Sequence, residues 1–93
     1  MKRFIIERKI PGFGSAAPKD VRAAAKISND ALAKLAPDVQ WVQSFVTKDR
    51  TYCIYLATDE AAIREHGKLS GIPITKITEV SRVLDPLSTK RIT

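Results

Sequence analysis

The stretch VQWVQSFVTKDRTYCIYLA, residues 39–57, decides the fold of this chain. Its two ends, Val39–Val46 and Tyr52–Ala57, are rich in valine, isoleucine and aromatic residues, which favour β-strands. The residues between them are polar and few, so the two segments are predicted to pair as an antiparallel hairpin. The rest of the fold is predicted outward from this hairpin.

The segments before the hairpin predict one strand and one helix. Residues Arg3 to Ile10 are β-branched and aromatic with charged ends, and Pro11 then breaks the strand. From Pro18 to about Ala36, small and branched side chains recur every three or four residues, which predicts a helix that lies close to a sheet. Pro37 prevents this helix from continuing.

The segments after the hairpin predict a second helix and a last strand. Thr58 is predicted to be the N-cap of the helix, and Gly71 is suited to end it. The helical period places Ile63 and His66 together on the side that should be buried. Residues 74–83 alternate moderately between apolar and polar side chains, which predicts the strand.

The resulting order, β-α-β-β-α-β, predicts a ferredoxin-like α+β fold. Right-handed crossovers give a four-stranded antiparallel sheet with both helices on one face. We expect a single domain over residues 1–86, followed by a polar and mobile tail over residues 87–93.

Composition excludes several functions. The chain of 93 residues has one cysteine and one histidine, so it cannot build a disulfide framework or a multi-cysteine zinc or iron–sulfur site by itself. Its net charge is +6, but the basic residues are scattered, which favours solvated charge over nucleic-acid binding. Near the N-terminus, a run of three apolar residues, Phe4-Ile5-Ile6, lies between charged residues. This run is too short to be the apolar region of a signal peptide. We expect a cytoplasmic protein without a membrane span.

The second face of the sheet is predicted to be uncovered by helices. If Ile54 and Leu56 point towards the helices, Cys53 and Tyr55 point away, because side chains alternate along a strand. An aromatic open face on so small a domain predicts a homodimer joined through the two sheets. RNA binding through this face is not expected, because the predicted strand lacks the basic and aromatic signature of RNA-recognition sheets.

His66 and Cys53 are the two residues whose side chains are best suited to bind a metal or take part in a reaction. His66 is either a packed core histidine or a group that binds a metal or transfers a proton, and Glu7 and Glu79 could join it as ligands. Cys53 lies in mid-strand without an adjacent basic residue, which favours an inert packed thiol. On the predicted faces, Cys53 and His66 lie on opposite sides of the sheet and do not share a site.

The sequence also resembles a bacterial family of unknown function whose members are often labelled nickel-binding or nickel-responsive. The resemblance rests on residues 4–8, 39–46, 51–55, 62–66, 77–80 and 83–86. It implies a dimeric ferredoxin-like subunit that binds nickel or another divalent metal, with no established reaction. The matched positions that could carry metal ligands are His66, Cys53, Glu7 and Glu79.

One departure from the family bears on the metal. Many members have His-Ser-Tyr where this chain has Gln43-Ser44-Phe45, and an amide oxygen is a weaker nickel ligand than an imidazole. The first hypothesis is a small dimeric binding or stress-related protein with a metal site, and the sequence supports no catalytic activity. One alternative is a cofactor-free oxygenase or isomerase, which needs a pocket of about 300 Å³ or more lined by His66, where Tyr52 and Trp41 could also hold a hydrophobic substrate. The other alternative is weak, salt-sensitive association with nucleic acid.

Overall fold

The computed structural model describes residues 1–91 and confirms the predicted order of elements. The strands are β1 (Lys2–Lys9), β2 (Val39–Val46), β3 (Arg50–Ala57) and β4 (Lys76–Val80), and the main helices are α1 (Pro18–Leu35) and α2 (Glu60–Ser70). The strands form one antiparallel sheet in the order β2-β3-β1-β4, with the helices on one face. A 3₁₀ turn at Phe13–Ser15 and a short helix α3 (Ser88–Arg91) complete the described part. None of the described helices is both long and apolar enough to cross a bilayer.

The ends of α2 show one prediction that is right and one that is wrong. Gly71 ends the helix with a φ of 70°, a left-handed conformation that glycine adopts without strain. The N-cap, however, is Asp59 rather than Thr58, because Asp59 Oδ1 accepts a hydrogen bond from the Ala62 backbone N–H at 2.9 Å. The Thr58 backbone N–H donates to the carbonyl oxygen of Asp38 at 3.0 Å, which continues the pairing of β2 and β3, so Thr58 lies one residue before the N-cap.

The C-terminal part is more structured than a simple tail. β4 is shorter than predicted and occupies only the middle of residues 74–83. Within the predicted tail, 87–93, Ser88 is buried and its Oγ accepts a hydrogen bond from the Asp85 backbone N–H at 2.8 Å. Residues 92 and 93 of that tail lie outside the described residues. The division into a domain and a mobile tail stays a prediction.

The predicted facing of β3 is wrong. Cys53 and Tyr55 are buried on the helix side, whereas Ile54 and Leu56 lie on the open face and are only partly buried. The register explains this arrangement, since Cys53 pairs with Ile6, and Tyr55 pairs with Phe4. Directly paired residues share a sheet face, so these side chains enter the same core.

A bulge in β2 decides how its aromatic residues divide between the two faces. The register shifts between Trp41 and Gln43, so Trp41 pairs with Tyr55 on the helix side, and Phe45 pairs with Tyr52 on the open face. Each face of the sheet therefore receives one of the two β2 aromatic residues. On the helix side, the core is centred on buried apolar residues of β1, β2, β3 and α2: Phe4, Ile6, Val39, Ala57 and Ile63.

Candidate functional site

A cavity lies between the sheet and the N-terminal half of α1. Its volume is about 560 Å³, within the range of small-molecule pockets. The helix contributes Ala24, Ala25 and Ser28 to the lining, and the sheet contributes Thr51 and Cys53. These side chains are too small to fill the space between the two layers, so the layers leave a gap here. Most of the remaining wall is apolar and comes from residues 10, 11, 13, 21, 27 and 72–73.

Arg8 is the charged residue in the buried part of this cavity. It is the third inward-facing residue of β1 after Phe4 and Ile6, and only 3% of it is exposed. Its Nη1 donates a hydrogen bond to Cys53 Sγ at 3.1 Å, and its guanidinium carbon lies 5.7 Å from the Tyr55 ring centroid. Its Nε and Nη2 have no hydrogen-bond partner within 3.5 Å among the described residues, although the Tyr55 hydroxyl is close enough to interact with the guanidinium. The guanidinium is therefore buried with one of its edges unsatisfied.

Three polar side chains form a chain behind the cavity. The Ser28 Oγ lies 3.4 Å from the Tyr55 hydroxyl and 3.2 Å from His66 Nε2. The rings of Tyr55 and His66 meet edge to face, with centroids 5.3 Å apart. Ser28 thus links the wall of the cavity to a histidine that is fully buried.

Burial and Arg8 together set the protonation of this chain. Burial lowers the pKa of His66 below its usual 6.5, and the positive charge of Arg8 lowers it further. Burial raises the pKa of Tyr55, although the charge of Arg8 acts in the opposite direction. Both side chains are therefore neutral near pH 7, and Arg8 is the charged member of the group.

The four predicted metal ligands lie in different surroundings. His66 and Cys53 are both on the helix side of the sheet, so the prediction that they lie on opposite sides is wrong. Glu7 pairs with Tyr52 and lies on the open face. Glu79 pairs with Phe4 at the sheet edge, where it forms an ion pair of 3.8 Å with Lys2.

These positions do not fit a metal site within one chain. Among the described residues, no group of three or more His, Cys, Asp and Glu side chains could hold a metal ion. Cys53 also accepts a hydrogen bond from the cationic Arg8, and a divalent cation bound to this thiol would be repelled by that charge. His66 lies under the same positive charge. The helix side of the sheet is thus suited to an anion rather than a cation.

The cavity only partly meets the expectation for a small enzyme. It exceeds the expected volume, and Trp41 lines it as predicted. His66, however, is not among the lining residues, and Tyr52 lies on the open face. The polar side chains that a substrate could contact in this cavity therefore include Arg8, Ser28 and Tyr55 but not His66.

Sequence reasoning missed Arg8 and Ser28. Arg8 lies beside Lys9 in a short basic pair near the N-terminus, and Ser28 lies in the stripe of small and branched side chains of α1, so neither residue stands out in the sequence. One signal was available, because Phe4, Ile6 and Arg8 occupy alternate positions of one strand and must share a face. An arginine in such a series predicts a charge that is either paired or held in a site.

The fold and the cavity define a class of small ferredoxin-like α+β domains with a helix–sheet pocket. Within this class, a family model described as nickel responsive protein, SCO4226-like, matches residues 4–80. The chain belongs to this family, which confirms the resemblance seen in the sequence.

A solved structure shows the same fold. The crystal structure of SCO4226 from Streptomyces coelicolor A3(2) aligns over 88% of this chain and 99% of that chain, with a TM-score of 0.74 and 14% identity. At this identity, the likeness shows the fold alone. No curated protein matches the chain by sequence.

Proposed function

We propose that this chain is a small cytoplasmic binding protein that acts as a homodimer joined through the open faces of the two sheets. The observation that carries this proposal is the apolar character of the open face. Phe45 on β2 is 55% exposed and pairs with Tyr52 on this face, and Ile54 and Leu56 of β3 share the face. Such a surface is costly to leave in water on a domain of this size.

The charges on the same face suit pairing with a second copy. Glu7 is flanked on β4 by Lys76, its direct partner in the sheet, and Arg3 lies further along β1. A two-fold axis through the face would bring the acid of each protomer towards the bases of the other, because isologous interfaces are self-complementary. Opposite charges across the interface would then favour association and set the register.

Light scattering of the full chain tests the dimer. At micromolar concentration, the account expects twice the mass of one chain, and Phe45→Lys should give the mass of a monomer. Leu69→Lys is the matched control, because Leu69 is 42% exposed on α2, in the helix layer. A monomeric wild type, or equal effects of the two substitutions, would contradict the proposal.

A second function, binding of nickel or another divalent metal, is supported by the family to which the chain belongs. Because the described residues of one chain do not bring the candidate ligands together, we place the site where a second copy would double them. Glu7 is the one of the four candidates that lies on the open face, and Gln43 lies on the same face. Carboxylate and amide oxygens from two protomers would give a weaker nickel site than one with imidazole ligands.

Calorimetric titration of nickel, cobalt, copper and zinc into tag-free protein tests the metal. We expect the wild-type dimer to release or absorb heat on binding the metal, and we expect Glu7→Gln to lower the affinity at least ten-fold. The substitutions His66→Ala, Cys53→Ser and Glu79→Gln should change the affinity little. Glu65→Gln, on the exposed side of α2, is the control. An absence of heat with every metal, or equal binding by wild type and Glu7→Gln, would refute this site.

A further inference from the structure

We propose that the cavity beneath α1 is a binding site for an apolar monocarboxylate, whose carboxylate is held by Arg8. This site lies on the helix side of the sheet, opposite the proposed dimer face, and does not depend on the dimer or on a metal. The ligand class follows from the charge, the geometry and the lining of the cavity.

The charge of the cavity selects an anion. Its lining contains two basic side chains, Arg8 and Lys9, and no acidic side chain among the described residues. Arg8 is almost fully buried and Lys9 is exposed, so a single positive charge lies in the interior. A buried positive charge without a negative counter-charge is costly, and an anion of one charge would offset that cost.

The geometry of the guanidinium selects a carboxylate. The two unsatisfied nitrogens, Nε and Nη2, belong to the same edge of the planar group, while Nη1 is engaged by Cys53. Two parallel N–H donors on one edge match the two oxygens of a carboxylate, which is the usual bidentate pair of arginine. Both nitrogens are buried and lack a hydrogen-bond partner among the described residues. Binding of a carboxylate therefore requires a rotation of the Arg8 side chain that turns this edge towards the cavity.

The remaining lining selects the body of the ligand. Beyond Arg8, the walls are formed mainly by apolar side chains, including Phe13, Val21 and Ile72. An aliphatic chain or an aromatic ring would cover these residues and remove apolar surface from water. Ser28 and Tyr55 add hydroxyl groups near the guanidinium, where they can complete the polar end of the site.

Fluorescence of Trp41 provides the test, because it is the single tryptophan and it lines the cavity. Decanoate, 1-decanol and decyl phosphate are titrated into the full chain below their micellar concentrations. We expect decanoate to bind at least ten-fold more tightly than 1-decanol. Equal affinities for decanoate and 1-decanol, or no binding of decanoate, would overturn the proposal. Tighter binding of decyl phosphate than of decanoate would overturn the assignment to a carboxylate.

Substitutions locate the site. Arg8→Met should lower decanoate affinity to that of 1-decanol, whereas Arg22→Met, an exposed arginine on α1, should leave it unchanged. If Arg8→Met does not fold, as judged by circular dichroism, Ala24→Phe is used instead. This substitution fills the cavity from the helix side and should abolish binding. Retained preference for decanoate in Arg8→Met, or unchanged binding in Ala24→Phe, would refute the site.

Phe45→Lys should keep the affinity for decanoate, so failure of the dimer is distinguishable from failure of this site.

Discussion

The two ends of the helix–sheet layer are built from the same strands but are filled differently. At one end, Phe4 and Ile6 of β1 pack with Ile63 of α2 in a closed apolar core. Two residues further along the same face of β1, Arg8 replaces the expected apolar residue, and the layer opens into the cavity. One strand thus serves stability at one end and binding at the other, because alternate positions on one face can carry different chemistry.

The largest expected difference between the two ends is in their contribution to stability. Phe4→Ala empties a buried position and should lower the free energy of unfolding by about 3–5 kcal/mol. Val21→Ala, at the exposed wall of the cavity, should change the free energy of unfolding by less than about 0.5 kcal/mol. Urea denaturation of both variants measures these changes. Similar losses in both variants would show that the two ends are equally well packed.

The second expected effect is a loss of folding stability in acid, caused by His66. Since the pKa of His66 is lowered in the folded state, the unfolded chain binds the proton more readily between that lowered pKa and 6.5. Stability should therefore fall as the pH drops below 6.5, with a slope of at most about 1.4 kcal/mol per pH unit for one proton.

Urea denaturation between pH 5 and 7 checks this slope. His66→Gln removes the titrating group and should show a flatter profile than the wild type over the same range. Parallel profiles of the two proteins would mean that other groups cause the acid sensitivity.

The smallest expected effect on stability is that of Arg8→Met, which separates the role of this arginine in binding from a role in folding. Arg8→Met removes an unsatisfied buried charge and should raise the free energy of unfolding by about 1 kcal/mol, despite the loss of the contacts with Cys53 and Tyr55. Arg22→Met should stay within about 0.5 kcal/mol of the wild type. A loss of several kcal/mol in Arg8→Met would assign the arginine a structural role at this end.

The sequence predicts most of the fold because the deciding signals are local. The hairpin follows from two apolar segments around a short polar one, and the burial of Ile63 and His66 follows from the helical period. The facing of β3 does not follow in this way. Tyr55 and Cys53 are buried because their polar atoms meet Ser28 and Arg8, which are 27 and 45 residues away in the chain.

The candidate site is less predictable than the fold for the same reason. The sequence shows His66 and Cys53 as reactive residue types, but it does not show that Arg8 lies beside the thiol. That one contact changes the electrostatics from a site suited to a cation to a site suited to an anion. The alternation of Phe4, Ile6 and Arg8 is the part of this arrangement that a sequence can reveal.

Thermal unfolding with and without decanoate tests the central claim, that Arg8 is kept unsatisfied for a carboxylate ligand. A ligand at about 100 times its dissociation constant stabilises the folded state by about 2.7 kcal/mol. The account predicts that decanoate raises the Tm of the wild type, that 1-decanol at the same concentration raises it less, and that Arg8→Met responds equally to both. Equal shifts of the wild-type Tm with the acid and the alcohol would contradict it.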